Sequence, residues 1–177
     1  MTILQATNTT WSGVFNNIAD RIDTVTVSPG VASCGTLTLA GTQTQENNLA
    51  VATDASVNIT GKWVGPVSVA GTIAGTGTID GTLTVGNGAT IMVNDAEPIK
   101  VTGNVTLSGD ITIVVADDVG VSQLTILRVT GDSAALDVSA VSSFTARNSS
   151  GNAIRASVVA KSKELRFSKG GFYIHLQ

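Results

Sequence analysis

The stretch Gly75-Thr-Gly-Thr-Ile-Asp-Gly-Thr-Leu-Thr-Val85 places Ile79, Leu83 and Val85 at alternate positions among hydroxyl residues, with a glycine at each boundary. Alternation with a period of two sends the apolar side chains to one side of an extended chain and Thr to the other, so these are half-buried strands of very short length. The unit Gly-Thr-Leu-Thr-Leu/Val recurs at Gly35 and Gly81, with looser copies at Gly71, Gly75 and Gly103. Internal repetition is the main signal in the chain.

Working outward, the same parity persists from 57 to 113: Val57, Ile59, Val67, Val69, Ile73, Ile79, Leu83, Val85, Ile91, Val93, Ile99, Val101, Val105, Leu107, Ile111 and Ile113 all carry odd numbers. A one-residue slip would turn a strand's apolar set to water, so the loops between these strands must conserve parity. Glycines between the strands, from Gly61 to Gly109, are expected to supply the positive φ that tight turns need. Hairpins in a β-sandwich would use Asp80-Gly81, Asn87-Gly88 and Ser108-Gly109 as turns. The strands are too short and the corners too frequent for that. The expected fold is therefore all-β, a right-handed parallel β-helix (solenoid), with the β-sandwich as the alternative.

The flanks read differently. Trp11, Val14, Phe15, Ile18 and Ile22 recur at spacings of three or four, which predicts an N-terminal capping helix over 11–22. The C-terminal third is less regular: Leu124-Thr-Ile-Leu-Arg-Val-Thr130 and, after a polar stretch with Asn148–Asn152, Ala156–Ala160, Glu164–Ser168 and Gly171–Leu176 are expected as antiparallel strands closing the rod. Phe144, Phe167, Phe172 and Tyr173 would plug the core there. One domain spans 1–177, with 1–30 as N-terminal cap, 31–130 as repeat rungs and 131–177 as C-terminal cap; 177 residues suit one core better than two.

Composition narrows the function classes. Aromatic residues are only 4% and charged residues only 13%, about half the usual charged share. Val, Ile, Leu and Ala must fill the interior, while Thr, Ser, Asn and Gly make an uncharged polar surface of the kind common outside cells. With a net charge of -3 and no basic stripe interleaved with aromatics, nucleic acid is not an expected partner. Lys161, Lys163, Arg166 and Lys169 read as a solvated face. No apolar run is long enough to span a bilayer. Met-Thr-Ile-Leu-Gln at the start lacks the basic and apolar regions of a signal peptide, so none is expected within this chain.

Catalytic chemistry finds little footing. Cys34 reads as a small buried hydrophobe, because the single histidine, His175, lies at the far end and no third group accompanies them. Asp117-Asp118 and Asp95 with Glu97 are the only close carboxylates, and both groups sit beside turns; adjacent residues in a strand point to opposite faces. Gly75-Thr-Gly-Thr-Ile-Asp80 matches a calcium-binding repeat only in isolation. Trp63 between Gly61 and Gly65 is either a sugar-stacking platform or, the preferred reading, a side chain packed over a corner. The Asn-X-Ser/Thr triplets at Asn8, Asn58, Asn104 and Asn148 are assigned no glycan. No cofactor and no metal site is expected, and the chain is not read as an enzyme.

The repeats at Gly75–Val85, with the closing portion Leu124–Gly131 through Glu164–Leu176, resemble passenger segments of autotransporters and related bacterial surface β-helix repeat proteins. The resemblance covers residues 35–176. It implies secretion, an extracellular or cell-surface location, and adhesion or surface scaffolding. The expected function is thus a non-catalytic extracellular structural or adhesive module that self-assembles end to end, its partners being itself, as homo-oligomer or filament, or a surface glycan. The alternative is a carbohydrate-binding or degrading β-helix such as a phage tail-spike segment, and a third reading is a spacer with no binding role.

Overall fold

The computed structural model describes residues 1–13, 24–30, 35–117 and 123–169. Its strands fall into successive coils: β1 (Thr2–Gln5) and β2 (Thr9–Trp11); β3 (Thr24–Pro29) and β4 (Thr36–Leu39); β5 (Asn48–Val51), β6 (Ser56–Ile59) and β7 (Lys62–Val64). Next come β8 (Val67–Val69), β9 (Thr72–Gly75) and β10 (Thr78–Asp80), then β11 (Leu83–Val85), β12 (Thr90–Val93) and β13 (Ile99–Val101). β14 (Val105–Val115) and β15 (Gln123–Val129) form a wider coil, followed by β16 (Leu136–Asn148), β17 (Ala156–Lys161) and β18 (Glu164–Lys169).

Each strand from β1 to β14 pairs in parallel with its counterpart one coil on, never with its sequence neighbour. This is a parallel β-helix, and it overturns the sandwich alternative, whose hairpins would pair neighbours antiparallel. Three faces result. Face I stacks β1, β3, β5, β8, β11 and the start of β14; face II stacks β2, β4, β6, β9, β12 and the end of β14; face III stacks β7, β10, β13, β15, β18 and β17. β14 turns the corner without a break, pairing β11 with its first residues and β12 with its last.

The conserved parity has a simple geometric cause. Val67, Leu83 and Val105 stack in one column, and Val57, Ile73, Ile91 and Ile113 in another. Coil length varies along these columns, but every step is an even number of residues. Loops therefore lengthen without turning a strand over. Every odd-numbered apolar residue anticipated between Val57 and Ile113 is buried, none more than 5% exposed. Each such burial stabilises by roughly 1.5–3 kcal/mol before chain entropy is counted.

The glycines act differently from expectation. Of those at the corners, Gly65, Gly75, Gly88 and Gly109 have positive φ, but Gly61, Gly71, Gly77, Gly81 and Gly103 do not. The reason is close approach: a Cβ on Gly77 would overlap the Gly61 carbonyl oxygen one coil below, and one on Gly61 would overlap that of Gly41. Neighbouring coils are only about 4.8 Å apart, so a corner that turns its backbone toward the coil below has no room for a side chain. Asparagines at other corners clip the coils together: Asn8, Asn87 and Asn104 accept the backbone N–H of Thr36, Asp110 and Ala135 through Oδ1, at 2.8–2.9 Å.

The two ends depart from the repeat. Trp11, expected to open a helix over 11–22, ends strand β2, and residues 14–23 lie outside the described residues. Parallel pairing already begins at Thr2, within the span 1–30 expected as a cap. At the other end β18 pairs antiparallel with β15 and β17, so antiparallel strands do close face III. β15 itself is parallel to β13 on one side and antiparallel to β18 on the other. Phe167 is 1% exposed in the core and Phe144 packs against it, while 171–176 with Phe172 and Tyr173 lie outside the described residues. Among the described residues no helix is long and apolar enough to cross a membrane.

Candidate functional site

With apolar residues inside, the outward residues fall into columns in which like sits on like. On face II, Thr36, Ser56, Thr72, Thr90, Thr112 and Thr145 follow one another from coil to coil. The Thr36 hydroxyl donates to the Ser56 hydroxyl at 3.2 Å, and in the next column Asn58 Nδ2 donates to Thr38 Oγ1 at 3.4 Å. On face I the matching column runs Thr2, Thr26, Ala50, Ser68, Thr84, Thr106 and ends at Asp137. Small side chains at Thr26, Ala50, Ser68 and Thr84, with Ala52, Ala70 and Gly86 at the corner, line a shallow open groove of about 410 Å³.

Charge is partitioned between the faces. Strands β1–β6, β8, β9, β11 and β12 contain no Asp, Glu, Lys or Arg. Every strand of face III contains at least one. There Lys62 lies 2.6 Å from Asp80, which also accepts from the Thr102 hydroxyl at 2.9 Å. The lysine's hydrogen bond, followed by that of Thr102, holds the Asp80 carboxyl below the usual carboxylate range. Nearer the C-terminal end, Glu164 is gripped by Arg166 Nε at 2.7 Å and Arg128 Nε at 2.8 Å. Arg166 is the larger cause of its lowered pKa, with Arg128 adding to it and partial burial opposing both.

Comparison with models of protein families, with curated proteins and with solved structures finds no match to this chain. Its chemistry has to be read from its own surface.

The residues singled out by sequence are dispersed. Trp63 is 1% exposed and donates its indole N–H to the Asn47 carbonyl at 3.1 Å, so it is a core residue and not a sugar-stacking platform. Asp95 accepts the Glu97 N–H, and Glu97 lies 3.8 Å from Lys100. Asp117 accepts from Ser149 Oγ at 2.5 Å, and Asp118 lies outside the described residues, as do Cys34 and His175. Among the described residues no three His, Cys, Asp or Glu side chains gather in a way that would hold a metal ion. Asp80, the last residue of the isolated calcium-like match, is taken up by Lys62 and Thr102.

The four glycosylation-like asparagines all have structural work. Asn8 and Asn104 clip coils, Asn58 bridges to Thr38, and Asn148 accepts the Asn152 N–H at 2.8 Å. In the C-terminal basic cluster Arg166 is paired, and Lys163 Nζ donates to the carbonyls of Gly131 and Asp132 at 2.6 and 2.8 Å. Sequence reasoning missed that, through the coils up to β13, the charged strand residues all lie on face III, whereas β14 and β16 bring Asp110, Asp137 and Arg147 onto faces I and II. The signal was present: Lys62, Asp80 and Lys100 each occupy the third strand of a coil.

Proposed function

We propose that this chain is a non-catalytic structural or adhesive module of the cell exterior, with faces I and II as its contact surfaces and face III as its solvated side. The observation that carries this reading is the charge partition: two faces present in-register columns of Thr, Ser, Ala and Asn with no charge through β1–β6, β8, β9, β11 and β12. Burying such a surface against another neutral surface avoids the desolvation penalty that charged groups impose. Hydroxyls and short methyls in a regular array suit uncharged polar partners, and a neutral polysaccharide laid along the face I groove is of that kind.

The test is retention of the protein on neutral and on acidic polysaccharides, for the native chain and for Ser68→Arg in the groove and Lys100→Glu on face III. Binding of neutral chains that Ser68→Arg abolishes and Lys100→Glu leaves intact supports contact through face I. Retention that follows Lys100→Glu instead moves the contact to face III and sinks the proposal.

A further inference from the structure

We infer that Asn87-Gly88 is a site of spontaneous deamidation, and that the fold holds it in check through Asp110 of the next coil. Asn87 is the only asparagine of the chain that precedes a glycine. The pair sits in the corner between β11 and β12, and both residues are exposed to water. Gly88 has φ +79° and nothing within 4 Å of where a Cβ would stand, so no side chain shields its nitrogen. Once hydroxide removes the Gly88 amide proton, that nitrogen attacks Asn87 Cγ. The new N–Cγ bond closes a five-membered imide, the Cγ–Nδ2 bond breaks, and Nδ2 leaves as ammonia with a proton from water. A water molecule then opens the ring at either carbonyl. Attack at the former side-chain carbonyl gives aspartate; attack at the main-chain carbonyl gives isoaspartate, whose backbone is longer by one carbon. One water is consumed and one ammonia released, with no change of oxidation state.

The folded corner ties up both reacting groups. Asn87 Oδ1 accepts the Asp110 N–H at 2.8 Å, and the Gly88 N–H, whose proton must be lost, donates to the Asp110 carbonyl at 2.8 Å. A single residue of β14 thus holds the electrophile with its N–H and the nucleophile with its carbonyl. While these bonds last, the Gly88 proton is harder to remove and Asn87 Cγ is kept from swinging onto the Gly88 nitrogen. The backbone of β14 also crowds the side chain: a Cβ on Gly109 would overlap Asn87 Oδ1. Asp110 is in turn held from the coil above, its carboxylate accepting from the Ser143 hydroxyl at 2.8 Å. Asn8 and Asn104 make the same Oδ1 clip, to Thr36 and Ala135, but they precede Thr9 and Val105, whose branched side chains hinder the attacking nitrogen. Among these clips only Asn87 combines the contact with the reactive pair. Conversion there waits on local release of Asp110. Isoaspartate, once formed, carries the clip's carbonyl in its main chain, so the corner does not close again.

The experiment incubates the native chain and Gly109→Ala in mildly alkaline buffer, each with and without guanidinium chloride, and follows conversion at every asparagine by mass spectrometry of its peptides. In denaturant Asn87 is expected to convert first, ahead of Asn8 and Asn104. In the folded native chain its conversion should slow by about tenfold or more, as for any reaction that waits on local opening. Gly109→Ala displaces the Asn87 side chain without touching the reacting pair, so it should recover part of the lost rate at unchanged β-sheet circular dichroism. Where that variant does not fold, hydrogen exchange of the native chain takes its place, the Gly88 and Asp110 amides being protected together. Equal rates for folded and unfolded native chain overturn the inference. So do conversion of Asn8 or Asn104 ahead of Asn87 in denaturant, a folded Gly109→Ala no faster than the native chain, or unprotected exchange at Gly88 and Asp110.

Discussion

The coils between Val57 and Ile113 and the region from Gly131 to Lys169 are built from similar residues, yet they solve the stacking problem in opposite ways. In the middle, columns advance by even steps and the inward residues keep one parity. At the end, Val105 pairs with Leu136 and Ile113 with Ala146, both odd steps, and the β14–β16 pairing contains two register shifts. β15 shows the change of parity within one strand: Ile126 and Leu127 are adjacent and both buried, beside an irregularity in the pairing with β18. A bulge is the local means of turning a strand's apolar set over. Leu136, Val138, Val141 and Phe144 of β16, which pairs with β14 alone among the strands, are only partly buried, where their counterparts in the middle are sealed. Repetition that conserves parity builds a tight core, and repetition that breaks it builds an ending.

The largest effect should come from forcing the middle to behave like the end. Inserting one residue after Thr76, in the short corner between β9 and β10, turns over Ile79 and, unless a later loop absorbs the shift, the strands that follow. The product is expected not to fold, read by loss of the β-sheet circular dichroism signal. The same insertion after Asp132, in the exposed loop before β16, should cost about 0.5 kcal/mol or less in urea denaturation. Equal tolerance at both sites would mean that parity is not what organises the coils.

Next in size are cavities. Ile91→Ala, at a site 0% exposed, should destabilise by about 2–5 kcal/mol. Val138→Ala in β16, only partly buried, should cost about 1 kcal/mol or less. Urea midpoints for the two variants check the ordering; a Val138 effect equal to that of Ile91 would show that the last coil is packed as tightly as the middle.

These contrasts also explain what the sequence made legible. Sixteen apolar residues on one parity, from Val57 to Ile113, identified strands, inward face and stacking, because a period of two is a local property of the chain. The end was harder. Register shifts in β16 leave no mark in the order of Leu136 to Asn148, since a bulge depends on the partner strand. Flanking glycines leave Trp63 open to two readings, of which packing over a corner is preferred; its odd position in the parity series agrees with the 1% exposure found. The charge segregation on face III needed the coil length, which varies from turn to turn, before Lys62, Asp80 and Lys100 could be seen to share a side.

A smaller effect separates glycines that look alike in sequence. Gly75 has φ +134° and a Cβ there would overlap the Ile59 carbonyl oxygen. Gly151 has φ +82° with open space around it. Gly75→Ala should therefore cost more than the roughly 1–2 kcal/mol of a left-handed alanine, and Gly151→Ala about that value alone. Thermal melts of the two variants measure the gap, and equal losses would show that crowding between coils adds nothing to backbone strain.

The smallest effect concerns acid. Glu164 has a folded pKa below its ordinary value, chiefly through Arg166 with help from Arg128, and joins β18 to β15. A carboxylate whose folded pKa is depressed binds protons less readily when folded, so its contribution is fully present above the unfolded pKa. It is lost as pH falls below that value and through the folded one. Stability of the C-terminal strands should thus decline from the ordinary glutamate range near 4.5 downward, while Glu164→Gln flattens the decline. Because both arginines are substantially exposed, the effect should be about 1 kcal/mol or less. The middle coils carry one comparable group, Asp80, held low by Lys62 and Thr102, whose loss begins in the lower range of an ordinary aspartate. Hydrogen exchange at Arg166 and at Ile79 as a function of pH reads the two regions separately. Amides of the end losing protection before those of the middle as pH falls is the expected order, and the reverse would place the acid-sensitive joint inside the repeat.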